Sequence, residues 1–218
     1  MLQGARLAQL QVVWHPQTWR AANRPSSLPG LYDGELARLM RIEGHTLHLQ
    51  PTGYFDHWAT NLQPQAPLGE CADPLGINAL VWDVEGSLVL NRRSPSLALR
   101  PGQLAPGFSG AVEASDLRPG PLQDCDLLRE LREELGPVQP TRTRLLGLVR
   151  EPERHGTPDL FLECWLPVPA RALPGSAEGQ VLAVKSGAEI QRRVEELGPI
   201  SVPLRTAWAL RACLENAR

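Results

Sequence analysis

Lysine is almost absent from these 218 residues: Lys185 stands alone beside 21 arginines. With proline, glycine and alanine also plentiful, that imbalance reads as codon usage in a GC-rich genome rather than as chemistry. An excess of one charge is missing too. The formal net charge is −2, which gives no general attraction to nucleic acid or to an anionic membrane. No apolar run approaches the roughly 18 residues that a membrane-spanning helix needs. The N-terminal stretch lacks the charged, then apolar, then small-residue order of a secretory signal, so a cytoplasmic location is expected. Cys71, Cys125, Cys164 and Cys213 lie far apart with no CxxC pair. That spacing excludes the common zinc motifs and gives little support to a disulfide framework, so reduced thiols are expected. The histidines His15, His45, His48, His57 and His155 show no metal-ligand spacing either. His45 and His48 fall in a predicted hairpin and read as ordinary surface residues.

Against these absences, 42% of the residues are hydrophobic, enough for a sizeable core in one domain with an N-terminal subdomain. No internal repeat or low-complexity tract interrupts it. Residues 35–43 and 46–50 predict two strands about Gly44, with Leu47 and Leu49 alternating against Thr46 and His48. A Pro/Gln-rich connector over 63–69 sets a predicted boundary: a β-rich N-terminal extension over 1–69 and the main domain over 70–218. Residues 77–84, Glu85-Gly86 and 87–91 read as a hairpin of buried strands. A helix is predicted over 124–135, capped by Asp124 and stopped at Gly136-Pro137. Strands follow over 144–150 and 160–168, and a last helix over 204–216. Trp82, Trp165 and Trp208 lie in apolar stretches and read as core. Strands interleaved with a few helices predict a mixed α/β or α+β sandwich.

The predicted helix over 124–135 carries the chemistry. Glu130, Glu133 and Glu134 are spaced by three and four and share one face, while Leu127, Leu128, Leu131 and Leu135 populate the other. Crowded carboxylates repel one another, and a divalent cation relieves that repulsion. Oxygen-only ligands suit magnesium, with manganese as the alternative. The plain alternative is a solvated helix laced by Arg129–Glu133 and Glu130–Glu134 pairs, each contributing about 0.2–0.5 kcal/mol. Context favours the ligand reading. A Gly-rich loop over 106–113 precedes the helix, and such a loop brings backbone close to a metal or a phosphate.

The run Arg129-Glu130-Leu131-Arg132-Glu133-Glu134-Leu135-Gly136 resembles the second half of the Nudix box without a gap. The first half departs from that pattern. Counted from Gly110, the acidic position falls on Asp116 rather than Glu, and twelve residues separate it from Arg129 where the family has seven. Counted from Gly107 it falls on Glu113, with a gap of fifteen. Either way the loop carries an insertion around 117–123, and Pro137 replaces the final apolar residue. The Gly110 register keeps Glu113 at a site often acidic in the family. The resemblance implies a Nudix α/β/α sandwich with a mixed sheet and hydrolysis of a phosphorus-containing anhydride with magnesium. It also implies roles for particular residues. Glu130 and Glu134 are metal ligands, and Glu133 is a further ligand or the group that orients the attacking water. Arg129 holds the glutamates, and a carbonyl near Ser109 or Gly110 completes the metal shell. Asp116 is a weaker metal-linked or structural acid, with Asp159 or Glu163 as a further acid.

Three other segments are similar to the UDP-glucose/UDP-galactose diphosphatase branch of the same family: residues 54–61, 73–76 and 90–94. That likeness implies cleavage of a UDP-sugar to UMP and sugar 1-phosphate. It puts Tyr54, Asp56, Thr60 and Asn61 at the nucleotide, although Asp, Thr and Asn are equally suited to turns and caps. Arg92 and Arg93 are candidates for bidentate phosphate contacts, only one of them facing the site if both lie on a strand. His155 is a candidate general base or substrate contact. The expected partner is a small-molecule nucleotide, not nucleic acid or membrane, and oligomeric state is left open. Two rival readings are a Nudix hydrolase for ADP-ribose, a dinucleotide or a nucleoside triphosphate, and a non-catalytic nucleotide-sugar-binding module.

Overall fold

The computed structural model describes residues 7–62, 70–97, 100–152, 155–177, 179–187 and 190–216. The chain divides into two compact units that interleave in sequence. The first takes Met1–Ile77, Ala111–Leu127 and Leu148–Leu160, and the second Asn78–Gly110, Leu128–Gly147 and Phe161–Arg218. The first unit therefore runs past residue 70 and draws in two later segments. The class is mixed α+β.

The first unit is built on a four-stranded sheet of order β2-β3-β1-β8, from β1 (Gln11–Trp14), β2 (Glu35–Glu43), β3 (Thr46–Gly53) and β8 (Gly120–Pro121). β1 runs parallel to β3, while β2 pairs with β3 and β8 with β1 in antiparallel fashion. The predicted 35–43/46–50 hairpin is present, with its turn at Gly44 and a register slip between Leu39 and Arg41. Leu39, Leu47 and Leu49 are fully buried. His48 corrects the sequence reading: it is buried, its Nε2 lies 3.1 Å from Glu43 Oε2 and its Nδ1 3.1 Å from His15 Nε2. The leucines flanking it on β3 carry the strand inward, and the imidazole is accommodated by these two partners.

After β3 the chain makes a helical turn, α1 (Tyr54–His57), continued by a π-helical turn over Trp58–Leu62. The buried Asp56 organises it. One carboxylate oxygen accepts the Gly53 and Arg20 donors at 2.9 and 3.0 Å, and the other accepts the Ala21 N–H at 2.8 Å.

A seven-stranded sheet of order β11-β5-β4-β10-β9, with β6 on β5 and β7 on β4, has most of its residues in the second unit. Its strands are β4 (Gly76–Trp82), β5 (Ser87–Arg93), β6 (Leu104–Ala105), β7 (Phe108–Ala111), β9 (Arg142–Glu151), β10 (Thr157–Trp165) and β11 (Gly179–Lys185). All seven residues of β4 are buried, as a continuous apolar run in a central strand requires. The helices are α2 (Arg129–Leu135), α3 (Ile190–Leu197) and α4 (Val202–Asn216). β11 and α3 were absent from the sequence expectation, because 179–185 shows no clean alternation and 190–197 is strongly charged.

The acidic helix is shorter than predicted. Residues 122–124 form a 3-10 turn, and α2 begins only at Arg129 behind Leu128, with no side-chain cap. Asp124 therefore does not cap it. The tertiary context wins here: the Asp126 N–H is taken by the Asp116 carbonyl at 2.8 Å and Leu127 is buried, and a turn at 127–128 leads into the helix. The stop is as expected. Gly136 sits at φ +86°, a conformation that costs glycine little, and its N–H donates to the Arg132 carbonyl at 3.0 Å.

No helix among the described residues is long and apolar enough to cross a membrane. The four cysteines form no disulfide. Cys213 is exposed and Cys125 half-buried, whereas Cys164 is buried and burial pushes its thiol up to about 12. Alkylation of the native protein with iodoacetamide near pH 8, mapped by peptide mass, is therefore expected to mark Cys213 first. Cys164 should react only after unfolding in urea, since the thiolate is the reactive form. Native-state labelling of Cys164 at the rate of Cys213 would contradict this packing.

Candidate active site

The local sequence around α2 sorts its side chains by period. Leu131 and Leu135, four apart, are fully buried and dock the helix, which brings Glu134 partly inward with them. Glu134 is only 4% exposed. A carboxylate that deep needs donors, and it has one on each oxygen. The Ser109 N–H of β7 donates to Oε1 at 2.9 Å, and the Asn91 amide of β5 donates to Oε2 at 2.5 Å. One turn earlier Glu130 lies against Gly110. A Cβ built at Gly110 would come within 2.1 Å of the Glu130 carboxyl carbon, so a side chain there would push the Glu130 carboxylate aside. Two glutamates four apart thus bracket the Ser109-Gly110 backbone.

Arg129 completes the group. Its Nη2 donates to Glu130 Oε1 at 2.8 Å and its Nη1 to both oxygens of Glu133 at 2.9 Å. Glu133 is the exposed member of the trio. Arg129 thus pairs with Glu130 and Glu133, while Glu134 accepts from the neutral donors of Ser109 and Asn91. Among the described residues no three His, Cys, Asp or Glu side chains converge as a preformed cation cage. The donor set nevertheless fits a hard divalent cation. Its oxygens are all carboxylate or carbonyl, and magnesium normally takes one or two protein carboxylates and keeps water and substrate oxygens for the rest.

The other residues singled out in the sequence fall in several places. Arg92 and Arg93 both border an open pocket of about 370 Å³ with Ser94, Ser176 and Gln180. Arg92 also donates to the Leu197 carbonyl at the end of α3, at 2.7 Å. Tyr54, Asp56, Thr60, Asn61, Asp116 and Asp159 belong to the first unit. Thr60 Oγ1 donates to the Asp56 carbonyl at 2.8 Å and accepts the Ala72 N–H at 2.9 Å. Asn61 exchanges two hydrogen bonds with Asp73, at 3.0 and 3.1 Å. Asp116 accepts the Glu113 N–H at 2.9 Å and closes a 3-10 turn, and Asp159 is almost wholly buried. Tyr54 is half-buried, and desolvation raises its phenol pKa. His155 occupies the turn between β9 and β10 with a left-handed backbone, φ +48°.

Glu163 is committed to structure. It is 1% exposed, accepts the Trp82 indole N–H at 2.8 Å, and is ion-paired with Arg144 and, at 3.1 Å, with Arg211. Arg211 in turn stacks 4.6 Å over the Trp82 ring, which fastens α4 to the sheet. Asn91 is the residue that sequence reasoning missed. Its signal was available: one amide after Leu88-Val89-Leu90, all three fully buried.

No protein-family model and no curated protein matches the chain in sequence. Several solved structures are similar to it. The MutT protein from Methanosarcina mazei Go1 shares 18% identity over 66% of this chain and 95% of that one, with a TM-score of 0.47. The NUDIX domain of Shewanella oneidensis NrtR, complexed with ADP ribose, shares 17% over 72% and 97%, with a TM-score of 0.49. The bifunctional NMN adenylyltransferase/ADP ribose pyrophosphatase from Francisella tularensis shares 15% over 61% and 39%, with a TM-score of 0.42.

Removing the Glu163 carboxylate takes a partner from Arg144 and leaves Arg211 with Glu215. Glu163→Ala is expected to lower the unfolding free energy by about 3–5 kcal/mol, as breaking a buried ion pair does. Urea denaturation measures the loss, and hydrogen exchange should localise the loosening to α4. A change within experimental error would show that Glu163 does not hold the helix.

Proposed function

We propose that the chain is a Nudix-type, divalent-metal-dependent hydrolase that cleaves the diphosphate of a nucleotide sugar, UDP-glucose or UDP-galactose, to UMP and sugar 1-phosphate. The observation that carries the chemistry is the bracket of Glu130 and Glu134 about Ser109-Gly110. The Nudix-box match of 129–136 supports the same reading.

Glu130, Glu134 and a carbonyl at Ser109 or Gly110 would hold magnesium or manganese. When bound, the cation supplies neutralisation of phosphate charge and acidifies water. The chain's own residues do the rest. Asn91 and the Ser109 N–H hold Glu134 in one orientation. Arg129 pairs with both Glu130 and Glu133 and spaces the two carboxylates. Glu133, exposed at the edge of the group, would take the proton of the attacking water as general base. Arg92 and Arg93, beside the pocket, would receive phosphate oxygens.

The choice of a UDP-sugar rests on the likeness of 54–61, 73–76 and 90–94 to the UDP-sugar diphosphatase branch. Within that island Tyr54 offers a stacking face, while Asp56, Thr60 and Asn61 spend hydrogen bonds inside the protein. A cytoplasmic location is part of the proposal, in keeping with four thiols that form no disulfide.

The test is a panel of UDP-glucose, UDP-galactose, ADP-ribose and nucleoside triphosphates assayed with magnesium, with manganese and with chelator. Metal-dependent release of UMP from the UDP-sugars is expected. Glu134→Gln should lower kcat by roughly 100-fold or more while the circular dichroism spectrum is retained. Turnover of ADP-ribose instead would overturn the sugar and keep the chemistry. No turnover of any member would overturn the hydrolase.

A further inference from the structure

We propose that Asn91 is a positioning residue that fixes the Glu134 carboxylate for cation binding, from a slot on β5 that Gly179 keeps open. The inference rests on the reading of Glu130 and Glu134 as metal ligands and adds a residue that the box does not contain.

Asn91 is 4% exposed and follows three fully buried apolar residues on β5. An amide buried there is costly unless it is bonded. Its Nδ2 donates to Glu134 Oε2 at 2.5 Å, while the Ser109 N–H donates to Oε1 at 2.9 Å. The amide orientation follows from charge. A carboxylate accepts and does not donate, so only the NH₂ end can face it. With one donor on each oxygen, the plane of the carboxylate is set and its remaining lone pairs are directed away from Asn91 and Ser109. That is the condition for a ligand held ready before the cation arrives.

The opposite end of the amide explains β11. Asn91 Oδ1 has no hydrogen-bond partner and is buried. It lies where a Cβ of Gly179 would be, 1.9 Å from that position, and the same Cβ would stand 2.5 Å from the Arg92 carbonyl. β11 pairs with β5 with Gly179 opposite Arg93 and Val181 opposite Asn91. A side chain at 179 would therefore press on both the Asn91 amide and the Arg92 carbonyl, and relief of that clash moves the amide relative to Glu134 or shifts β11 on β5. The unpaired oxygen is the cost of pointing the NH₂ group at the carboxylate.

The experiment compares Mn²⁺ affinity, read by electron paramagnetic resonance of the free ion, with the metal-free thermal midpoint and with steady-state kinetics. The proteins are wild type, Asn91→Leu, which keeps the number and branching of side-chain heavy atoms and deletes the donor, and Gly179→Ala, which leaves Asn91 and Glu134 chemically intact. Asn91→Leu is expected to weaken Mn²⁺ binding by about tenfold or more, the usual effect of losing a group that orients a ligand. kcat should fall with it, while KM for the nucleotide stays near wild type. Gly179→Ala should shift Mn²⁺ affinity in the same direction. If Asn91→Leu does not fold, Gly179→Ala decides. A merely structural Asn91 would lower the metal-free midpoint and leave Mn²⁺ affinity unchanged, and that result overturns the proposal. Wild-type protein that binds no Mn²⁺ overturns the metal-site reading itself, and the role of Asn91 with it.

Discussion

A carboxylate taken out of water has to be given donors or a counter-charge, and the burial of Glu134 sets the terms for everything around it. Its two hydrogen bonds, to the Ser109 backbone and the Asn91 amide, join α2 to β7 and β5. Bonds to a charged group contribute about 1.5–3 kcal/mol each, several times an exposed i,i+4 ion pair at about 0.2–0.5. The Arg129–Glu133 pair therefore does not hold the helix in place. Leu131, Leu135 and the Glu134 clamp do, and Arg129 is left to separate and orient carboxylates.

Buried carboxylates are held in more than one way. Glu163 meets Arg144 and Arg211, and Asp56 meets Arg20 and Arg24. In both cases the carboxylate faces more than one guanidinium and serves as a structural tie. Asp83 and Glu134 accept neutral donors: Asp83 the Ser87 and Ala170 N–H groups, Glu134 the Ser109 N–H and the Asn91 amide. The same residue type thus does different work according to the donors around it.

How far the sequence could be read follows the range of the physics involved. Local signals were reliable. The hairpins about Gly44 and Glu85-Gly86, the helix stop at Gly136, the common face of the three glutamates and α4 all depend on residues within a few positions of one another. Where contacts distant in sequence decide, the reading fell short. α2 starts at Arg129 rather than near Asp124, because the Asp126 N–H is captured by the Asp116 carbonyl and Leu127 goes to the core. His48 is inside rather than outside, because its strand is flanked by buried leucines and Glu43 and His15 meet its ring.

The sequence by itself determined that one short helix would carry three carboxylates on a common face, because helical periodicity requires nothing beyond the chain between 129 and 136. Tertiary structure decided what those carboxylates face. Ser109, Gly110 and Asn91 lie between 20 and 43 positions from their glutamates, and only the pairing of β4, β5 and β7 beside α2 brings them together. The acidic helix is a local fact. Its inner glutamate becomes a fixed ligand only through strands that no local pattern could have placed beside it.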